Sequence, residues 1–479
     1  MNKLFKIFTA LVLLLVLSQC KKDEEPISSA NYWIRLLVLN EVTGLPISGA
    51  QLQLLEGGPS VTTQTDGKAV FNQNNLEAVE AQITDSTAFP VSIQHPDFLS
   101  RELTVALGES TVKLTPRPVV KDPDTLNYSY KMPDLLSDGL EVANWNDVGL
   151  DTLKIQQLME KIEIQGYKQL HSILIYKEGH LVLEEYYFGN NDTINFEGGV
   201  IRDKSPAPIQ WTRDDKHYIA SVNKALTSTL TGIALEKKGL TTDALLKDYL
   251  PEYASYFEND SKKAGVTFHH ALNMTLGFQW DEWGSNDLVQ LWKSDDFADF
   301  LLNRTNKGPG SEWFYNSASP NVVLKSLENM VGEPIRTWAH TNFYERLGIT
   351  DYKWQNQPDG YPEGAARMYM RPRDMLKVGI TYLNNGKWNG EQVIPASWVE
   401  KCMDVQEITN AGNYSHFFWI RELEGVTYLS ADGDGGNYIN IFPDQDMVIV
   451  MTQGNYLEHP LYVNQANDMM GNYILPAIK

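Results

Sequence analysis

Between residues 150 and 479 the spacing of apolar residues changes period twice, and this restricts the architecture more than any other feature of the chain. Alternating runs at 171–176 and 181–188 flank Lys177-Glu178-Gly179-His180, which predicts a hairpin. Mostly helical and loop patterns follow to about Cys402. Strand patterns then return at 416–421, 426–430, 437–442 and 447–452, the last two turning at Pro443-Asp444-Gln445, before a final helix over about 462–474. Strands at both ends of one region, with helices between, predict a single antiparallel sheet assembled from both ends and a separate helical lobe, an α+β domain.

One helix of that lobe carries the chemistry. Val222, Ala225, Leu226, Leu230, Ile233 and Ala234 recur at helical spacing, Lys237 and Lys238 fall in the last turn, and Gly239 follows as a stop. At its start stand Ser221 and Lys224, three apart and on one side, so the amine can reach the hydroxyl and take its proton. The positive end of the helix and partial desolvation both favour a neutral, proton-accepting amine there. The same Ser-x-x-Lys spacing also occurs at Ser18 to Lys21 and at Ser110 to Lys113, but only the third opens a helix. A serine cap beside a solvated lysine is the bland alternative.

A chain of 479 residues with 42% hydrophobic content predicts two or three units with real cores. The net charge of −21, without a Lys/Arg stripe, excludes a nucleic-acid partner. Residues 1–19 carry Lys3 and Lys6 before a short apolar run at 7–17, the layout of an export signal. If Cys20 is lipidated, Cys402 is the one remaining thiol, so neither an intramolecular disulfide nor a thiolate metal site is expected. Cys402, in a helical stretch at 396–403, reads as a buried apolar filler. After a tether at 20–30, short alternating runs broken by turn residues predict an all-β sandwich over 31–118. Pro, Asp and Asn then mark a linker at 119–144 that wraps onto the domain beginning at 145.

Three stretches resemble known families. Leu17-Ser18-Gln19-Cys20 is similar to a bacterial lipobox, with Gln19 in place of the usual small residue, and the charged run Lys21 to Glu25 resembles a surface-export tag. The resemblance implies a Gram-negative cell-envelope lipoprotein, outer-membrane and surface-exposed, touching the membrane only through the lipid. Val42-Thr43-Gly44-Leu45-Pro46-Ile47 with Thr65-Asp66-Gly67 resembles carboxypeptidase-regulatory-like modules, implying a transthyretin- or Ig-like sandwich acting as a spacer or docking module of unknown partner. Residues 145–479 resemble the serine β-lactamase and penicillin-binding-protein superfamily, in its branch of class C-like esterases, D-aminopeptidases and 6-aminohexanoate-oligomer hydrolases. The matching stretches are Ser221-Val222-Asn223-Lys224, then Val266 to Thr275, then Phe314-Tyr315-Asn316-Ser317, then Gly433-Asp434-Gly435-Gly436-Asn437.

That resemblance implies Ser221 as nucleophile, Lys224 and Tyr315 as the proton-transfer pair, and the N–H groups of Ser221 and Asn437 as an oxyanion hole. Ser317 stands where many relatives carry Asn, and Asp434 where β-lactamases place a cation, which argues against strong β-lactam hydrolysis. A D-Ala-D-Ala carboxypeptidase also needs such a cation. Gly435 and Gly436 are expected to let backbone approach substrate. Trp283, Trp313 and Trp419 are candidate walls of the acyl site. Asp432, Asp434 and Gly436 could suggest a calcium loop, but Pro443 stands where the closing acid is needed. His269 and His270 are adjacent, so they share no helix face and read as structural. The expectation is an exported serine hydrolase of esters, amides or peptides without cofactor or metal. The alternative is a catalytically inactive surface protein that binds a peptide or glycan.

Overall fold

The computed structural model describes residues 32–479 apart from 41–44, 55–56, 81–82, 85–86, 97, 115–126, 165, 197–200, 206 and 410. The expected signal segment, Cys20, the tether, Val42-Thr43-Gly44 and the first part of the linker lie outside these residues. The chain divides after Pro118 into two compact units.

The first unit holds two sheets. One orders Lys68–Phe71, Ile34–Asn40 and Gly108–Leu114; the other orders Ser60–Thr62, Gln51–Leu54, Ala88–His95 and Phe98–Ala106. Alternation turns Ile34, Leu36 and Val38 into a cluster shared with Leu52, Leu54, Val91 and Ile93 of the other sheet. A short helix, Gln73–Glu77, interrupts the strands and is capped by Asn72. Ser110 and Lys113 lie on the Gly108–Leu114 strand, where residues three apart face opposite sides.

The second unit is built on an eight-stranded antiparallel sheet. Its order is Glu407–Thr409, Gly412–Ser415, Phe418–Leu423, Val426–Gly433, Asn437–Phe442, Met447–Gln453, Leu170–Lys177 and His180–Tyr186. The early hairpin joins the late strands through pairs such as Ile175 with Ile449. The central strands are apolar on both sides because both sheet faces are covered. One face packs on the Thr152–Glu163 and Leu461–Asp468 helices through Ile155, Leu158 and Ala466. The other packs on the Val222–Lys238 and Pro372–Leu383 helices through Ala225, Leu226 and Val378.

Differences from the sequence reading are local. The strand expected from 416 begins at Phe418 because His416 and Phe417 take left-handed backbone, with φ of 47° and 68°. Their N–H groups are tied to Asn273 Oδ1 and Leu272 O. The final helix is α-helical over Leu461–Asp468 and widens to a π-helix over Met469–Ile474. The described part of the expected linker packs closely: Tyr130 stacks on Trp145 with ring centres 3.9 Å apart, and Asp138 pairs with Arg373 at 2.8 Å. Among the described residues no helix is long and apolar enough to cross a membrane.

Candidate active site

Ser221 occupies the N-cap of the Val222–Lys238 helix, yet its side chain makes no capping hydrogen bond. The hydroxyl instead accepts from Lys224 Nζ at 2.9 Å. Lys224 is 1% exposed, and its other bond goes to Ala365 O at 3.3 Å rather than to a carboxylate. Burying an ammonium without a direct ion pair costs several kcal/mol of effective desolvation, roughly, so the position is expensive for stability. The residue before the serine, Ala220, has φ of 47°, a region L side chains rarely adopt. This sharp turn sits against the end of the Val426–Gly433 strand: a Cβ on Gly433 would stand 2.2 Å from Ile219 O, so only glycine fits there.

The carbonyl that steadies Lys224 belongs to a turn organised by Glu363, which is fully buried. Its carboxylate accepts from the backbone N–H groups of Ala365, Ala366 and Arg367 at 2.9, 2.6 and 2.7 Å. The turn is also tied to the helix, since Asn223 Nδ2 donates to Glu363 O and Thr227 Oγ1 to Gly364 O.

Tyr315 enters from a third segment, just ahead of the Ser319–Val331 helix. Asn316 Oδ1 accepts from Ala318 N at 2.8 Å, and Phe314 N bonds to Met274 O at 3.1 Å. Half-buried, the Tyr315 ring lies parallel to Trp419 with centres 6.0 Å apart, and Lys224 Nζ stands 4.9 Å from its centre. Trp313 packs edge-on against Trp419 and Tyr414. Trp283 does not join this cluster as closely as expected, because it sits on a surface turn and is 74% exposed. Ser317 is buried and turned inward: its hydroxyl and its N–H both donate to Glu282. It is therefore not presented as a contact for substrate.

In the third motif Gly433 pairs with Asn437 across a turn, so Asn437 stands at the start of its strand, fully buried, with Nδ2 on Asp434 O at 2.9 Å. The two glycines serve the protein's own packing. Gly435 and Gly436 have φ of 84° and 98°, and Cβ atoms there would meet the Tyr456 ring at 2.4 Å and Gln453 at 2.6 Å. Asp434 accepts from Leu457 N at 3.0 Å, and burial pushes its carboxyl above the usual range. Through that hydrogen bond the carboxyl steadies the 455–457 loop. Behind Asn437 a buried pair, His171 and His217, share a 2.6 Å Nδ1 to Nε2 contact; burial drives His217 down to about 4.

The remaining candidates take structural positions. Asp432 pairs with Arg421 at 2.6 Å. The His270 ring closes a capping box on Thr267, and His269 contacts Asn273. Cys402 is buried, its thiol pushed up to about 12. Among the described residues no cluster of His, Cys, Asp and Glu could hold a metal ion.

Sequence reasoning missed Glu282 and Glu363. Glu363, beside Gly364 in Tyr361-Pro362-Glu363-Gly364-Ala365, offered a weak signal, whereas nothing in Phe278-Gln279-Trp280-Asp281-Glu282-Trp283 sets Glu282 apart from Asp281.

Residues 154–466 match the Beta-lactamase family model, and the protein belongs to that family. Its fold class is that of the β-lactamase-fold hydrolases. The 6-aminohexanoate-dimer hydrolase of Paenarthrobacter ureafaciens is 24% identical over 268 residues, covering 50% of this chain and 66% of that protein. A Bacillus anthracis structure, for which 6-aminohexanoate-dimer hydrolase is only a provisional name, superposes with a TM-score of 0.53 at 20% identity, over 64% of this chain and 80% of that one. EstCE1, a hydrolase with promiscuous acyltransferase activity, gives 0.50 at 16% identity, over 66% and 98%. At these identities the two structures establish the fold alone.

Proposed function

We propose that the protein is an exported serine hydrolase that forms an acyl-enzyme at Ser221 on a small ester or amide. The observation that carries this is the 2.9 Å bond from buried Lys224 Nζ to a Ser221 hydroxyl released from capping. Lys224 takes the Ser221 proton as Oγ attacks the substrate carbonyl. The N–H groups of Ser221 and Asn437 receive the oxyanion, where one such donor is typically worth roughly 2.7–4 kcal/mol. Tyr315, beside Lys224, gives its phenol proton to the leaving group and is reprotonated by Lys224, and water then releases the acyl chain by the reverse path. The aromatic rings of Trp313 and Trp419 beside Tyr315, backed by buried Tyr414, suit an apolar acyl group. The relative named a 6-aminohexanoate-dimer hydrolase supports an amide as well as an ester. β-Lactams are poor candidates, since the third motif supplies Asp434 rather than a cation.

Export rests on Lys3, Lys6, the apolar run at 7–17 and Cys20; the lipidated product belongs in a Gram-negative outer membrane. Palmitate labelling lost in Cys20→Ser checks it. The first unit then acts as a transthyretin-like spacer or docking module.

The hydrolase reading is tested by a fluorophosphonate probe on residues 31–479, with the adduct mapped by mass spectrometry. Label on Ser221, absent from Ser221→Ala and Lys224→Ala, is expected. A folded but unlabelled protein overturns it in favour of the inactive, binding-only reading.

A further inference from the structure

Glu282 is a buried acid that the mechanism above does not use. It is 6% exposed, and all its hydrogen bonds come from neutral donors. Oε2 accepts from Trp280 Nε1 at 2.9 Å and from Ser317 N at 3.0 Å, while Oε1 accepts from Ser317 Oγ at 2.5 Å. Two of these three donors lie on the turn that carries Tyr315, two residues away. On the other flank of the same turn, Lys224 Nζ stands 4.9 Å from the Tyr315 ring. One negative and one positive group are therefore both buried beside Tyr315, and each spends its hydrogen bonds on neutral partners. A direct ion pair would pin the ammonium and its proton. A carboxylate set one layer back compensates the charge while leaving the amine free to exchange a proton with Ser221.

We infer that Glu282 is a positioning residue of the hydrolytic site, clamping the Tyr315 turn through Ser317 and supplying the counter-charge for protonated Lys224. This rests on the hydrolase reading. The groups facing the carboxylate are Lys224 on the Val222–Lys238 helix, Ser317 on the Tyr315 turn, Trp280 on its own loop and Tyr414 on the Gly412–Ser415 strand. Burial raises the Glu282 carboxyl, and the Lys224 charge is the largest of the influences that draw it back down.

The test compares the full chain with Glu282→Gln, Glu282→Asp and Ser317→Ala, each checked for folding by thermal melting. Nitrophenyl-ester hydrolysis and fluorophosphonate labelling are followed from pH 5 to 10. Misplacing a reacting group by about 1 Å costs up to roughly a hundredfold in rate. Glu282→Gln is expected to lose that much in kcat with KM nearly unchanged, and its acid limb is expected to move down by on the order of one pH unit, because the ammonium loses a nearby negative charge. Ser317→Ala keeps the charge, so it should lose rate without moving the limb. Glu282→Asp should fall between the wild type and Glu282→Gln in both readouts, and decides the matter if the amide variant does not fold. A wild-type rate and limb in Glu282→Gln, or a loss there that leaves the limb in place as in Ser317→Ala, overturns the inference while the hydrolase stands. A wild-type protein that neither labels nor hydrolyses overturns the hydrolase reading itself and this inference with it.

Discussion

Replacing Glu363 should destabilise the second unit and disable the lysine together. Glu363→Ala removes the acceptor of four buried donors, the N–H groups of Ala365, Ala366 and Arg367 and the amide of Asn321 at 3.1 Å. An orphaned buried donor costs about 1–3 kcal/mol. Water entering the vacated space can meet two of the four, leaving about 4 kcal/mol, and losing one buried methylene adds about 0.8 kcal/mol. A loss of about 5 kcal/mol is expected against a typical total of 5–15 kcal/mol. Glu363→Gln keeps one acceptor oxygen but turns an N–H toward an N–H, so about half that loss is expected. Urea unfolding read by tryptophan fluorescence isolates the effect, because Trp33 is the single tryptophan of the first unit. Ala365 O also moves, and with it Lys224; misplacing a reacting group by 1 Å costs on the order of a hundredfold in rate. A Glu363→Ala protein within about 1 kcal/mol of wild type, or one with full esterase activity, refutes the claim that this turn is built on the carboxylate.

Gly433→Ala forces a methyl against Ile219 O at 2.2 Å; a loss of about 1–3 kcal/mol by urea unfolding and near-complete loss of ester hydrolysis are expected. Burial drives His217 from 6.5 to about 4, so below pH 6.5 the unfolded chain takes up a proton that the native chain refuses. Stability is then full above about pH 6.5 and falls as pH drops toward 4, a slope that His217→Gln should lessen in urea titrations while the part due to the equally buried His171 remains. Cys402, its thiol pushed up to about 12, should resist iodoacetamide at pH 8 in the native protein and react fully in urea, as intact mass will show.

Much of this architecture is legible because burial imposes a period. The Val222–Lys238 helix and the strands near Asn437–Phe442 and Met447–Gln453 sit within a residue or so of where apolar spacing places them, since each must bury a continuous face. His416 and Phe417 read as strand, yet they lie in left-handed backbone fixed by Asn273 and Leu272, contacts made some 143 residues away in sequence. No local pattern carries that information. Glu282 and Glu363 were missed for the same reason. An acid's role depends on which donors surround it: two of the three bonds to Glu282 come from Ser317, 35 residues on, and Glu363 joins the N–H groups of its own turn to Asn321, 42 residues back. Gly435 and Gly436 show the converse: their presence is read easily, but the packing partner that requires glycine, Tyr456 or Gln453, is supplied by a different strand and loop.

The case for chemistry at Ser221 finally turns on what the fold forgoes there. A serine at an N-cap normally contributes about 1 kcal/mol by bonding the second or third N–H of its helix, and Ser221 does not. A position that is 1% exposed normally takes an apolar side chain, and Lys224 fills it at a desolvation cost no ion pair offsets. Ala220 adds backbone strain one residue earlier, at a cost of order 1–3 kcal/mol. Three unfavourable choices within five residues, each tied down by Glu363, by Gly433 or by the buried helix, are the local inconsistency that marks a reactive site. A pocket that only bound a ligand would gain nothing from the amine, and Lys224→Met would then leave binding intact. In a hydrolase the same variant is expected to stay folded by urea unfolding and lose fluorophosphonate labelling altogether, a combination that a binding-only pocket cannot produce.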